Sequence, residues 1–90
     1  MEEDDEIDRR AQTYKALGHP LRLRILSFLL ERDECNCICA LTEMFRKDQS
    51  VIYRHLMILR DAGLIRTRKK ERCLYCCIID KDHVKRLLEG

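Results

Sequence analysis

Apolar positions fall into short periodic blocks separated by polar breaks. Ile7, Ala11, Tyr14 and Leu17 recur at helical spacing and Gly18 supplies a stop, which predicts a first helix over about residues 6–17. Pro20 stands where a first-turn proline is tolerated, and Leu21, Leu23, Ile25, Leu26, Leu29 and Leu30 give a broad apolar face to a second helix over about 20–31. Arg32, Asp33 and Glu34 break that pattern, and the alternation of Cys35-Asn36-Cys37-Ile38-Cys39 reads as a short strand. A third helix is expected over about 39–46, burying Leu41, Met44 and Phe45. Asp48 is a suitable N-cap for a fourth, in which Val51, Ile52, Leu56 and Leu59 form the buried side, with Met57 and Ile58 at its margin and Gly63 as left-handed cap.

Residues 64–68 and 73–79 read as two strands around the charged turn Lys69-Lys70-Glu71-Arg72. Asp80 then caps a last helix over 81–89, with Val84, Leu87 and Leu88 on one side. The resulting order is helix, helix, strand, helix, helix, hairpin, helix. A chain of 90 residues supports one modest core, so the expected organisation is an acidic extension over residues 1–8, which either frays or caps the first helix through the helix dipole, and a single domain over 9–90.

Charge sharpens the picture. The net charge is only +2, but Glu2, Glu3, Asp4, Asp5, Glu6 and Asp8 precede any base, leaving about +8 on the rest. That balance suits a polyanionic partner, against the plainer alternative of a solvated surface. One Asn, two Gln and one Pro among many Lys, Arg and Glu resemble the composition of heat-adapted proteins. No apolar run reaches membrane-spanning length and the N-terminus is acidic, so the expected location is the cytoplasm, without a membrane partner. Six cysteines in such a chain point to metal binding, redox chemistry or packing before a disulfide framework. No nucleophile with a positioned base, phosphate-binding glycine loop or paired-carboxylate site is present, so no enzyme is expected.

Three segments carry a resemblance: Ala16-Leu17-Gly18-His19-Pro20-Leu21-Arg22-Leu23-Arg24-Ile25-Leu26, Asp48-Gln49-Ser50-Val51-Ile52-Tyr53-Arg54-His55-Leu56, and Leu59-Arg60-Asp61-Ala62-Gly63-Leu64-Ile65. Over roughly residues 10–80 the chain resembles the ArsR family of transcriptional repressors. The resemblance implies a mainly α winged helix-turn-helix fold with a small β-hairpin, about six helices and strand-wing elements, binding double-stranded DNA as a homodimer whose first and last helices pack across the two-fold axis. The fourth helix becomes the recognition helix. Gln49, Ser50, Tyr53 and Arg54 lie on its polar side: Gln suits adenine, Arg guanine, Ser a base or a phosphate, and Tyr53 backbone or a thymine methyl. His55 either meets phosphate or holds the helix in place. Arg66, Arg68, Lys69, Lys70 and Arg72 crowd the hairpin and suit phosphate or minor-groove contact, although Glu71 stands where the family usually has Gly.

Sensors of this family carry Cys-x-Cys at the start of the third helix, where this chain has Cys37 and Cys39. Some arsenic sensors add a third Cys where this chain has Thr42. The implied thiol site is therefore Cys35, Cys37 and Cys39, with Cys73, Cys76 or Cys77 brought across from the hairpin. A soft metal or metalloid, a disulfide or redox switch, and packing without any ligand all remain open for these cysteines. The family's other metal site, on the last helix, has only Asp80, Asp82, His83 and Glu89 here and is not expected. His19 with Pro20 reads as a helix start. The rival functions are a metal or redox buffer, against which the basic surfaces count, a protein-binding adaptor, which a salt-insensitive partner and no DNA retention would favour, and a ligand-independent DNA-binding protein.

Overall fold

A computed structural model describes residues 2–89 and shows five helices, against about six helical and wing elements expected, with three strands. In order these are α1 (Glu2–Leu17), α2 (Pro20–Leu30), β1 (Asn36–Cys37), α3 (Ile38–Phe45), α4 (Gln49–Asp61), β2 (Ile65–Lys70), β3 (Cys73–Ile78) and α5 (Lys81–Glu89). The first helix starts four residues earlier than its apolar pattern predicts. Four acids in its first turn oppose the positive end of the helix dipole, and Glu6 pairs with Arg10 one turn on at 3.0 Å. Residues 2–8 thus continue α1; residues 1 and 90, which bound the two expected segments, lie outside the described residues.

Gly18 does not end α1 in a left-handed turn; the chain bends there, and a Cβ would stand 3.3 Å from the carbonyl oxygen of Tyr14. His19 caps α2, its Nδ1 accepting from the Leu21 amide at 3.1 Å, so the residue is the expected helix-start element. Cys37 caps α3, which starts one residue before the expected position, and Arg46 ends it in the left-handed region at φ 53°. Asp48 precedes α4 but makes no side-chain cap bond; its carbonyl oxygen receives Val51 and Ile52. At the far end Gly63 adopts φ 75°, its amide bonding Arg60 and that of Leu64 bonding Leu59, the paired bonds of a Schellman stop. Asp80 caps α5 through the His83 amide at 3.1 Å.

The core gathers Leu21, Ile25, Leu26 and Leu29 of α2 with Leu41 of α3, Ile52, Leu56 and Leu59 of α4, and Leu64, Ile65, Cys76 and Val84. Two residues expected inside are outside. Leu23 lies on the far side of the stripe formed by residues 22, 25, 26 and 29, and Met44 is half-exposed beyond α3. The strands form one antiparallel sheet in the order β1-β3-β2, with Asn36 opposite Cys76, Cys37 opposite Tyr75, and Lys70 opposite Cys73. Alternation along β3 sends Cys76 into the core and leaves Cys73, Tyr75 and Cys77 on the other face.

Candidate nucleic-acid interface and thiol cluster

The buried stripe of α4 fixes what its other side presents. With Ile52, Leu56 and Leu59 fully buried, Gln49, Ser50, Tyr53 and Arg54 face outward, and no side-chain bond within the described residues occupies them. His55 lies between the two sides. Its Nδ1 is 3.1 Å from Nη1 of Arg22, a buried guanidinium that also donates to the carbonyl oxygens of Ala16 at 2.8 Å and Lys15 at 3.1 Å. A guanidinium only donates, so Nδ1 accepts and the neutral ring carries its proton on Nε2. Burial, with the charges of His19, Arg22 and Arg54, holds the His55 pKa below its ordinary value. Arg22 therefore ties the end of α1 to the middle of α4, a role the sequence reading missed. The signal was present: position 22 belongs to the same helical stripe as Ile25, Leu26 and Leu29.

The wing turns in two residues, Glu71 at φ 50° and Arg72 at φ 72°, both left-handed without glycine. The strands consequently run closer to the tip than expected, and Lys69 and Lys70 become strand residues. Pairing places Arg66, Arg68 and Lys70 on one face beside Cys77, Tyr75 and Cys73, while Lys69 points to the opposite face. All five bases of the wing are exposed. Arg66 Nε lies 3.2 Å from the sulfur of Cys77.

The cysteines divide into three environments. Cys35 and Cys77, whose Cα atoms are 4.5 Å apart, form a disulfide that ties the loop after α2 to β3 and takes Cys35 out of the expected Cys35, Cys37 and Cys39 trio. The cause is the register: with Asn36 opposite Cys76, residue 35 faces residue 77. Cys37 instead gathers Cys39 and Cys73. Burial pushes the Cys37 thiol up, but hydrogen bonds from Cys39 and Cys73 outweigh it and bring its pKa below the ordinary thiol value, while the same bonds raise Cys39 and Cys73. Cys76 is buried, and its pKa is pushed up to about 12 by desolvation and by Cys37. Among the described residues no three Cys, His, Asp or Glu side chains are already arranged to hold a metal ion, so a site at Cys37, Cys39 and Cys73 requires side-chain closure.

Residues 19–67 match the family model described as bacterial regulatory protein, arsR family. The chain is 34% identical over 85 residues to an uncharacterised HTH-type transcriptional regulator of Methanocaldococcus jannaschii, covering 94% of this chain and 93% of that one. It is 39% identical over 71 residues to an arsenical resistance operon repressor of Bacillus subtilis, covering 79% and 67%. The chain belongs to the arsR family. Among solved structures it is similar to a homodimeric winged helix-turn-helix DNA-binding domain of Mycobacterium bovis, with TM-score 0.82 and 25% identity over 97% of this chain and 78% of that one.

Family membership makes this a winged helix-turn-helix regulator, and the family is one of regulators rather than enzymes. The matched segment ends at residue 67, before Cys73, Cys76 and Cys77. At position 42, where some arsR arsenic sensors place a third Cys, the Thr42 hydroxyl donates to the Cys39 carbonyl oxygen at 2.8 Å and cannot replace a soft sulfur ligand.

Proposed function

We propose that this arsR-family chain is a homodimeric repressor that reads duplex DNA with α4 and grips its backbone with the wing. The observation that carries this reading is the uncommitted polar face of α4, Gln49, Ser50, Tyr53 and Arg54, on the same small domain as a hairpin carrying Arg66, Arg68, Lys69, Lys70 and Arg72. Such a pairing supplies base contacts that specify and phosphate contacts that position. For dimerisation the support is α1: Ile7 and Tyr14 are 60% and 68% exposed, a helix surface that a second copy would cover, as the homodimeric M. bovis domain suggests. No helix among the described residues is long and apolar enough to cross a membrane, in keeping with a DNA-binding regulator of the cytoplasm.

Fluorescence anisotropy on an operator and a random duplex of equal length tests the assignment. Arg54→Ala is expected to cost roughly 1–3 kcal/mol on the operator and little on the random duplex, as loss of a base contact should. Neutralising Lys69 and Lys70 is expected to weaken both and to flatten the salt dependence by up to about two units. Equal losses for Arg54→Ala on both duplexes would make it a phosphate contact, and an unchanged salt slope would remove the wing tip from the interface.

Two thiol sets give regulation two routes. Cys37, Cys39 and Cys73 supply three soft sulfurs, a donor set that fits a thiophilic metal or metalloid and would join the start of α3 to the wing strand. Because a thiolate must lose its proton to bind, occupancy rises with pH and falls with chelators. The Cys35–Cys77 disulfide favours the second route, in which oxidant and reductant alone change DNA affinity. Cys37→Ser with Cys39→Ser should keep DNA affinity in the metal-free reduced state and abolish release by a thiophilic inducer. Cys35→Ser should abolish only the response to oxidant.

A further inference from the structure

We propose that the cleft between the first turns of α2 and α4 is a phosphate-binding site formed by His19, Arg24, Lys47 and His55. This rests on the DNA-binding reading for its natural ligand, a backbone phosphodiester, and adds a contact outside the recognition face and the wing. The cleft has a volume of about 380 Å³, and its seven lining residues include these four nitrogen-bearing side chains, apolar Leu21 and Val51, and no acid. Neither Arg24 nor Lys47 has an ion-pair partner among the described residues.

The two imidazoles are prepared as donors. His19 spends Nδ1 on the Leu21 amide and His55 spends Nδ1 on Arg22, so each neutral ring keeps its proton on Nε2. Neither Nε2 is used in a hydrogen bond among the described residues. The ring centroids lie 4.5 Å apart, and the Arg24 and Lys47 cations in the same lining supply the positive potential that an anion would relieve. Burial first, and then the nearby charges, hold the His55 pKa below its ordinary value, which keeps the ring neutral with Nε2–H as a donor. Val51 and His55, one turn apart, form a flank of α4 adjoining the side that carries Gln49, Ser50, Tyr53 and Arg54, and Lys47, just before the Asp48 N-cap, lines the same cleft. A duplex seated on that side brings sugar-phosphate backbone to the flank.

The test measures binding of the full-length chain to duplex DNA across a salt series, for the wild type, Lys47→Gln, Arg24→Gln and, as a distant exposed control, Lys85→Gln. Lys47→Gln and Arg24→Gln are each expected to lower affinity about three- to tenfold on every duplex and to reduce the salt slope by about one unit, with Lys85→Gln near wild type. In parallel, millimolar inorganic phosphate is titrated while the His19 and His55 ring signals are followed by NMR. Shifts that vanish in Lys47→Gln are expected, and duplex DNA should remove the response by occupying the site. If the wild type binds DNA but the two variants keep its slope, or Lys85→Gln lowers it equally, the cleft is not a DNA phosphate site and the proposal fails while the function stands. If the wild type binds no duplex, the DNA reading itself fails. A phosphate response lost in Lys47→Gln would then support a site for a free phosphate compound, and the absence of any response would overturn the site altogether.

Discussion

Replacing Arg22 with Met tests whether one buried guanidinium holds the recognition helix to the rest of the domain. Arg22 is 8% exposed and donates to two carbonyl oxygens at the end of α1 and to His55 of α4. A hydrogen bond from a charged donor contributes about 1.5–3 kcal/mol, but three sharing one group do not add. The Ala16 residue is fully buried, whereas Lys15 and His55 retain access to water, so the loss falls mainly on one stranded carbonyl plus weaker replacements for the others. The expected cost is about 3–4 kcal/mol, a large share of the 5–15 kcal/mol typical of a domain.

With a urea dependence near 1 kcal/mol per molar for a domain this small, the unfolding midpoint should fall by about 3 M. Arg22→Lys should recover less than half of that, because an ammonium cannot reach three acceptors arranged around a planar fork. The His55 ring should titrate below 6.5 by NMR in the wild type. Since the folded state resists that proton, this group's contribution is complete above pH 6.5 and is lost as pH falls towards the lowered value, and Arg22→Met should narrow that window. A midpoint shift below about 1 M, or full rescue by Lys, would refute the reasoning.

Reduction of the Cys35–Cys77 bond, which closes a loop of sequence separation 42, should destabilise the domain by up to about 4 kcal/mol from chain entropy, read as a lower urea midpoint in reductant that Cys35→Ser reproduces. Glu71→Asn, at φ 50° in the wing turn, should raise stability by about 0.5–1 kcal/mol, since Asn tolerates that conformation better than Glu; no gain on thermal unfolding would remove the claim of backbone cost. Alkylation at neutral pH followed by peptide mapping should modify Cys37 ahead of Cys39 and Cys73 and leave Cys76 for last, because its thiol is buried and raised to about 12; early labelling of Cys76 would contradict its place in the core.

Local rules carried most of the architecture into view. The order of helices and strands, the Gly63 stop, the Asp80 cap and the placing of His19 at a helix start follow from short-range chemistry and match the structure. Some differences fall where tertiary geometry decides, and others where a local device carries no obvious sequence mark. Leu23 reads as interior because it is apolar, yet the helical period gives its place to Arg22, whose three acceptors come from elsewhere in the fold. Between fraying and capping the first helix, the two readings of the acidic start, the structure has α1 run through it, with four acids in the first turn and the Glu6–Arg10 pair. The partner of Cys35 depended on sheet register, which local pattern leaves open among Cys73, Cys76 and Cys77. A tip without glycine concealed a two-residue turn at Glu71 and Arg72, and the strands run longer for it.

Selection of bound duplexes from a randomised pool by the full-length chain tests the central claim most directly. A homodimer reading DNA with two α4 helices should enrich an inverted repeat with half-sites about one helical turn, roughly 34–36 Å, apart, and its affinity for that site should fall steeply with salt. A pool that remains random after selection, with retention indifferent to salt, would contradict it.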